Sequence, residues 1–295
     1  MIVVNLKGGL GNQMFQYAFG LALAQKYGAS VKFDLRTLRD RTPRSGSVAR
    51  DYDLDVFSIL PIQATPDDLF GVGLGFPDVR FQRVLSRLYG CVPGQSRILQ
   101  ERDISFDPRR LSIGGNAYID GYWQSEKYFK DIEPLVRERF VVTAPISSEA
   151  AALGEQISRQ ESVCVNVRRG DFVNHPLHPA CDREYFERAV AELTRRIGDA
   201  FPVFIFSDDV DWCRENLRLA KNQHIVGHEF AGLKFATYFY LMSACKHFII
   251  PNSSFAWWAA WIAKNESKVV IGPSRWFADP TMDTSSVLPE NWVHV

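Results

Sequence analysis

Four stretches of this chain carry residue types that could do chemistry. Asn166-Val167-Arg168-Arg169-Gly170-Asp171 sets two guanidinium groups and a carboxylate directly behind the apolar run Ser162–Val167. Adjacent arginines at the end of a buried strand are costly unless anions meet them. A guanidinium fork matches phosphate or carboxylate through two parallel hydrogen bonds. Strand side chains alternate, so Asn166 and Arg168 share one face while Arg169 points elsewhere. The plainer reading is a structural ion pair to Asp171 or another acid. Pro251-Asn252-Ser253-Ser254-Phe255-Ala256-Trp257-Trp258 opens an apolar helix with small polar residues. Asn252 or Ser253 could simply be its N-cap, but the same amides, hydroxyls and helix dipole also suit a diphosphate. Phe204-Ile205-Phe206-Ser207-Asp208-Asp209 ends another strand on carboxylates, which can accept hydrogen bonds from a ribose or a purine edge. Gly8-Gly9-Leu10-Gly11-Asn12-Gln13 is a glycine-rich turn between a strand and a helix, with amides disposed for an anion.

Weaker patterns compete with these. Asp209-Val210-Asp211 is a DxD of the kind that holds a divalent metal on a diphosphate, but Asp51-Tyr52-Asp53 and Asp53-Leu54-Asp55 match it too. An N-cap role for Asp209 or Asp211 is the more economical reading. The glycine turn approaches the dinucleotide fingerprint, and Asp34 ends the next strand where a ribose-binding acid would lie, yet Met14 stands at the third glycine position. A dinucleotide-dependent oxidoreductase is therefore a rival reading. Trp257, Trp258 and Trp261 read as core packing, with a membrane-interface belt as the alternative. His175 and His178 flank Pro176 near the arginine pair, within reach of a second substrate.

These residues need elements to position them. Ile2–Leu6 reads as a strand, Asn12–Tyr27 as a helix stopped by Gly28, and Val31–Leu35 as the next strand. The arginine-rich stretch 36–50 reads as an exposed loop, and 60–115 has no clear pattern. Tyr118–Asp120 reads as a strand and Asp131–Phe140 as a short helix. The second half alternates cleanly. Strands are expected at Ser162–Val167, Val203–Ser207, His224–Val226, His247–Ile250 and Lys268–Ile271. Helices are expected at Arg183–Ile197, Trp212–Leu217, Leu233–Ala244 and Ser254–Lys264. Strand-then-helix order implies parallel sheets covered on both faces. With 295 residues, the chain divides into domains 1–150 and 151–295 joined near 141–160, where Thr143-Ala144-Pro145 precedes a polar-rich helix, the C-terminal tail free to pack back on the first.

A formal net charge of zero gives no sign of a general nucleic-acid binder, while leaving room for a local basic site for a phosphate. The five cysteines are scattered and lack CxxC spacing, so neither a disulfide framework nor a zinc site is expected. The N-terminus lacks the basic and apolar regions of a signal peptide, and the apolar run Phe255–Ala263 falls far short of the roughly 20 residues of a membrane span. A cytoplasmic protein is expected, touching a membrane peripherally if its acceptor sits there.

In order and spacing, these motifs resemble the α-1,2-fucosyltransferase family. Gly8–Ala18 resembles its GGLGNQMFQYA segment, Asn166–Asp171 its HxRRxD, and Gly121–Phe129 the GYWQSEKYF stretch of bacterial members. FSDD at Phe206–Asp209 and NSSFAWW at Asn252–Trp258 complete a likeness spanning residues 1 to about 276. The histidine that usually opens HxRRxD is Asn166 here, which can hydrogen-bond a ligand but cannot carry a proton.

The resemblance implies a GT-B architecture: two Rossmann-like α/β domains with parallel sheets facing a central cleft, an acceptor-side domain 1–150 and a GDP-fucose-binding domain 151–295. It implies inverting, metal-independent transfer of fucose from GDP-β-L-fucose to a glycan hydroxyl, O2 of a galactose first. The rivals are a DxD, metal-dependent glycosyltransferase with another donor and a catalytically dead sugar-binding module, which Asn166 makes conceivable. Arg168, Asp171 and Asn12 are the expected catalytic residues. Gly11, Asn166, Arg169, Asp208, Asp209, Ser253, Ser254 and Phe255 are assigned to the donor. Gln13, Trp123, Glu126 and His175 are assigned to the acceptor side, and no metal or cofactor is expected. Asp171 is the first choice of base, with Glu126 and His175 behind it.

Overall fold

The computed structural model describes residues 1–42, 50–74, 98–173 and 176–295. Short, wholly buried apolar runs form its central strands. Ile2–Asn5 is β1 and Val163–Val167 is β5, with every residue of both buried, as a parallel strand covered on two faces requires. β2 (Val31–Asp34), β4 (Ala117–Asp120) and β3 (Ile98–Gln100) join β1 in a parallel sheet of order β2-β1-β4-β3. β6 (Val203–Ser207), β7 (Gln223–Ile225), β8 (His247–Ile249), β9 (Val270–Gly272) and β10 (Val293–His294) join β5 in a second parallel sheet, ordered β10-β9-β8-β5-β6-β7.

Each sheet reverses its direction of growth once, between β1 and β4 in the first and between β5 and β8 in the second. Such switch points open crevices beyond the carboxyl ends of the strands. The chain leaves β1 into Gly8–Asn12, β4 into Gln124, β5 into Arg168 and β8 into Asn252–Ser253. The two crevices face one another.

Helices close the halves onto each other. Leu10–Tyr27 follows β1 and ends at Gly28, whose φ of 60° is the left-handed stop that glycine accepts at no cost. Ser254–Ile262 follows β8. The first helix meets the second at Gly11, where an added Cβ would lie 2.5 Å from the Phe255 nitrogen and 2.5 Å from the Ser254 carbonyl carbon. Phe15 packs on Trp257 and Trp258 with ring centres 4.5 and 4.8 Å apart, and Phe129 stacks on Trp258 at 5.2 Å. The three tryptophans are core residues, as expected, and all are buried. They belong to an apolar core that runs without a break from the first half into the second. At the tail, Phe106 donates its N–H to the Ser286 hydroxyl and Lys127 pairs with Glu290 at 2.8 Å, while β10 extends the second sheet.

Several boundaries differ from the sequence expectation. The first helix begins at Leu10, not Asn12, because Gly9 adopts the extended backbone of an N-cap, so Asn12 sits in the first helical turn. The helix expected from Leu233 begins only at Ala236, since Lys234 and Phe235 have φ of 51° and 62°. The polar-rich helix expected after Pro145 is present as Ser148–Ser158, capped by Ser147. β3 and β10 were not anticipated; they are short edge strands, and each pairs with one neighbour. Cys164, Cys181, Cys213 and Cys245 are free thiols, and Cys91 lies outside the described residues. No helix among the described residues is long and apolar enough to cross a membrane.

At Gly11 backbone stands on both sides, so neither partner can rotate away from a new methyl group. Gly11→Ala is expected to destabilise the protein by about 1–3 kcal/mol in urea or thermal unfolding. Gly71→Ala, where a Cβ would meet nothing within 4 Å, serves as the neutral comparison.

Candidate functional site

The facing switch points enclose a cleft of about 460 Å³, within the range of small-molecule sites. The first half contributes the Gly8–Asn12 turn, Arg50, Asp51, Asp53 and Gln124. The second contributes Asn166–Arg168, Ser207, Asp208, Lys234, Tyr238 and Asn252–Phe255, with Trp276 at the seam.

Arg168 leaves the end of β5 beside Asp208 at the end of β6, a neighbourhood set by the register that pairs Val167 with Ser207. Its Nη1 lies 3.1 Å from Asp208 Oδ2, and the guanidinium stands 5.6 Å from the Phe172 ring centre. Asp208 Oδ1 accepts the Arg169 backbone N–H at 2.9 Å. A Cβ at Gly170 would fall 2.7 Å from Asp208 Oδ2, so the glycine clears the space this carboxylate occupies. The alternation of the strand holds: Arg169 turns from the cleft, lies 4.0 Å over the Trp212 ring and meets Asp209 at 3.4 Å. For Arg169 the plain structural pairing is the observed one, and its assignment to the donor loses its geometric basis.

Opposite Arg168, Ser253 caps the helix Ser254–Ile262, its Oγ accepting the Ala256 N–H at 3.5 Å. Ser254 and Phe255 form the first turn, whose N–H groups have no carbonyl partner inside the helix. Backbone amides and a helix dipole therefore face the same space as a guanidinium, an arrangement that attracts a doubly charged oxyanion. Asn166 borders the cleft from below, donating Nδ2 to the Phe206 carbonyl at 3.2 Å.

A chain of amides crosses the seam. Asn252 Nδ2 donates to the Trp276 carbonyl at 3.0 Å, Trp276 Nε1 to Gln124 Oε1 at 3.2 Å, and Gln124 Nε2 to Asn12 Oδ1 at 2.7 Å. Because Asn12 accepts through its oxygen, its amide orientation is fixed from both halves.

The acceptor-side expectations fare differently. Gln13 is fully buried; it donates to the Gly8 and Asp51 carbonyls and accepts the Asp53 N–H at 2.9 Å, so it shapes the cleft only through its neighbours. Trp123 is likewise fully buried, packed on Phe19 at 4.7 Å. Glu126 accepts from Trp261 Nε1 at 3.0 Å and joins the two halves away from the cleft. All three are polar or amphipathic residues spent on packing, which their motif could not reveal. His175 lies outside the described residues, as does the side chain of Asp171, whose backbone forms the turn Gly170–Phe172. His178 stacks on Phe172 at 4.9 Å within the lining.

Asp209 is the N-cap of Val210–Asn216, accepting the Trp212 N–H at 3.1 Å, and Asp211 pairs with Arg214 at 2.9 Å. The capping alternative is thus the observed one for Asp209, and Asp209 does not line the cleft.

Sequence reasoning missed Asp53 and Lys234. Lys234 reaches from the second half to both Asp55 oxygens at 2.8 Å and to the Tyr52 carbonyl. Asp53 borders the cleft with its side chain 15% exposed and Lys234 Nζ at 4.0 Å. Burial pushes its carboxyl up to about 6, against the pull of Lys234. In the sequence it was visible only as a member of two inexpensive DxD patterns. Gln124 sits inside the GYWQSEKYF stretch, within which the motif alone points to the neighbouring Trp123.

Residues 100–295 match Glycosyl transferase family 11. Over 100% of its length the chain is 30% identical to an alpha-1,2-colitosyltransferase of Escherichia coli, covering 99% of that protein. It is also 30% identical to a galactoside 2-alpha-L-fucosyltransferase of Caenorhabditis elegans, over 51% of this chain and 44% of that one. Among solved structures, a mutant FUT1 of Arabidopsis thaliana in complex with GDP superposes with a TM-score of 0.50 at 13% identity, covering 91% of this chain and 69% of that one. That last likeness is one of fold, and the fold is GT-B, as the sequence led us to expect.

The engaged aspartates give a direct check on the DxD reading. Asp209→Ala removes a cap and should cost about 1 kcal/mol of stability in urea unfolding. Asp211→Ala, at an exposed pair, should stay within about 0.5 kcal/mol. Neither unfolding curve should respond to added manganese.

Proposed function

The chain belongs to glycosyl transferase family 11 and is a glycosyltransferase; from that premise we propose that it moves L-fucose from GDP-β-L-fucose to O2 of a galactose in a glycan, with inversion and without a metal. The observation that carries this reading is the guanidinium of Arg168, set by Asp208 and facing the capped helix start Ser253–Phe255 across the cleft. When the bond from the sugar to GDP breaks, charge grows on the β-phosphate. Preorganised donors aimed at that charge lower the barrier because they need no rearrangement during the reaction. Arg168 and the amides of Ser254 and Phe255 take this task, with Asn12 contributing an oriented amide from the facing wall.

In this reading residues 151–295 form the donor-side domain and 1–150 the acceptor-side domain. Asn166 supports the donor end by its bond to the Phe206 carbonyl. Asp208 works by aiming Arg168 at the donor. Gly11 allows the close approach that brings Asn12 to the helix start. The galactose acceptor rests on the name of the Caenorhabditis elegans relative. The donor admits a second reading, because the full-length Escherichia coli relative is named for colitose, which is fucose without its 3-hydroxyl. One hydroxyl in the sugar pocket decides between them.

Purified protein offered GDP-fucose or GDP-colitose with a panel of galactose-terminated oligosaccharides should yield an α-1,2-linked product from at least one donor, at a rate unchanged by excess EDTA. Loss of activity on chelation with recovery on manganese would contradict the proposal. Arg168→Ala should lower kcat by about 100-fold or more while circular dichroism stays native. A folded variant with near-normal kcat would remove Arg168 from its assigned role.

A further inference from the structure

We infer that Asp53 is the catalytic base of this reaction, its carboxylate taking the proton of the acceptor hydroxyl as the new glycosidic bond forms. The inference rests on the transfer reaction proposed above and names a base for it. Inverting displacement needs a proton acceptor on the face of the sugar opposite the leaving group. With the diphosphate at Arg168 and Ser253–Phe255, as proposed, the first half lines the same cleft with Arg50, Asp51 and Asp53.

Among the described residues, Asp51, Asp53 and Asp208 are the carboxylates that line the cleft. Asp208 is committed through both oxygens, one to Arg168 and one to the Arg169 amide. Asp51 has its side chain 70% exposed and is paired with Arg41. Asp53 differs from both. Its side chain is largely enclosed, with Lys234 beyond hydrogen-bond distance at 4.0 Å. Its backbone is held by the fully buried Gln13, which accepts the Asp53 N–H and donates to the Asp51 carbonyl. Lys234 is engaged with Asp55 and the Tyr52 carbonyl, so the second half fastens the base segment in place.

The charged groups around Asp53 are Lys234 and Arg50, which favour its ionised form, and Asp55 and Asp51, which oppose it. Burial outweighs them and raises the carboxyl to about 6. A base of that strength is ionised at neutral pH yet holds a proton far better than an ordinary surface carboxylate. The acceptor O–H bond breaks and its proton goes to Asp53, the acceptor oxygen bonds to the anomeric carbon, and the bond to the β-phosphate oxygen breaks with its electron pair leaving on GDP.

The test compares wild type with Asp53→Asn, which keeps the shape and the backbone hydrogen bond. The variant should lose about 10²–10⁴-fold in kcat, as removal of a general base does, while its Kd for GDP stays within about twofold. Wild-type kcat/KM should fall about tenfold per pH unit below about pH 6, where Asp53 becomes protonated, and the residual activity of the variant should lack that limb. Transfer by wild type together with near-normal kcat in Asp53→Asn would overturn the inference and leave the proposed function standing. Absence of transfer by wild type from either GDP-sugar would instead remove the reaction itself, and the base with it. Should the variant fail to fold, the wild-type profile decides: a flat kcat/KM from pH 5 to 8 overturns the assignment.

Discussion

The ion pair between Arg168 and Asp208 is the constraint on which the rest of the site depends. A guanidinium at the end of a buried strand loses much of its hydration, and without a partner it would cost several kcal/mol. Asp208 meets that need from the next strand of the same sheet, at 3.1 Å, and its other oxygen ties down the backbone of Arg169. Pairing across adjacent strand ends fixes where the charge sits, yet leaves Arg168 28% exposed on the cleft side. The charge is thus held by the fold at the border of the cleft.

A fixed cation is useful only if the facing wall is fixed as well. The glycine at position 11 lets one helix lie on the backbone of the other, and the Phe15–Trp257–Trp258 cluster fills the space behind that contact. Lys234, Glu126 and the Asn252–Trp276–Gln124–Asn12 chain add polar ties at three further places along the seam. Of the residues that the sequence marked as acceptor-side candidates, Gln13 and Trp123 are buried in the packing and Glu126 is engaged along this seam.

Much of this was legible in the sequence, and the exceptions have physical causes. The central strands declared themselves by unbroken apolar runs, and Arg183–Ile197 appears with the expected bounds because its apolar stripe is regular. The split fates of Arg168 and Arg169 followed from strand alternation alone. Edge strands β3 and β10 stayed hidden because two or three residues with one neighbour carry no periodic signal. The delayed start of the Ala236–Ser243 helix came from left-handed backbone at Lys234 and Phe235, which neither residue type announces. Gln13, Trp123 and Glu126 illustrate a general limit: a motif says that residues matter together, and only packing says which of them face the substrate. Asp53 illustrates the converse, since its enclosed place beside the cleft is set by Gln13, which holds its backbone, and by Lys234, both distant in sequence.

The most direct measurement is a crystal structure of the protein with GDP bound. The β-phosphate is expected within hydrogen-bond distance of the Arg168 guanidinium and of the backbone amides at Ser254 and Phe255, with Asp208 still holding the arginine. A diphosphate seated elsewhere in the cleft, touching neither Arg168 nor that helix start, would contradict it.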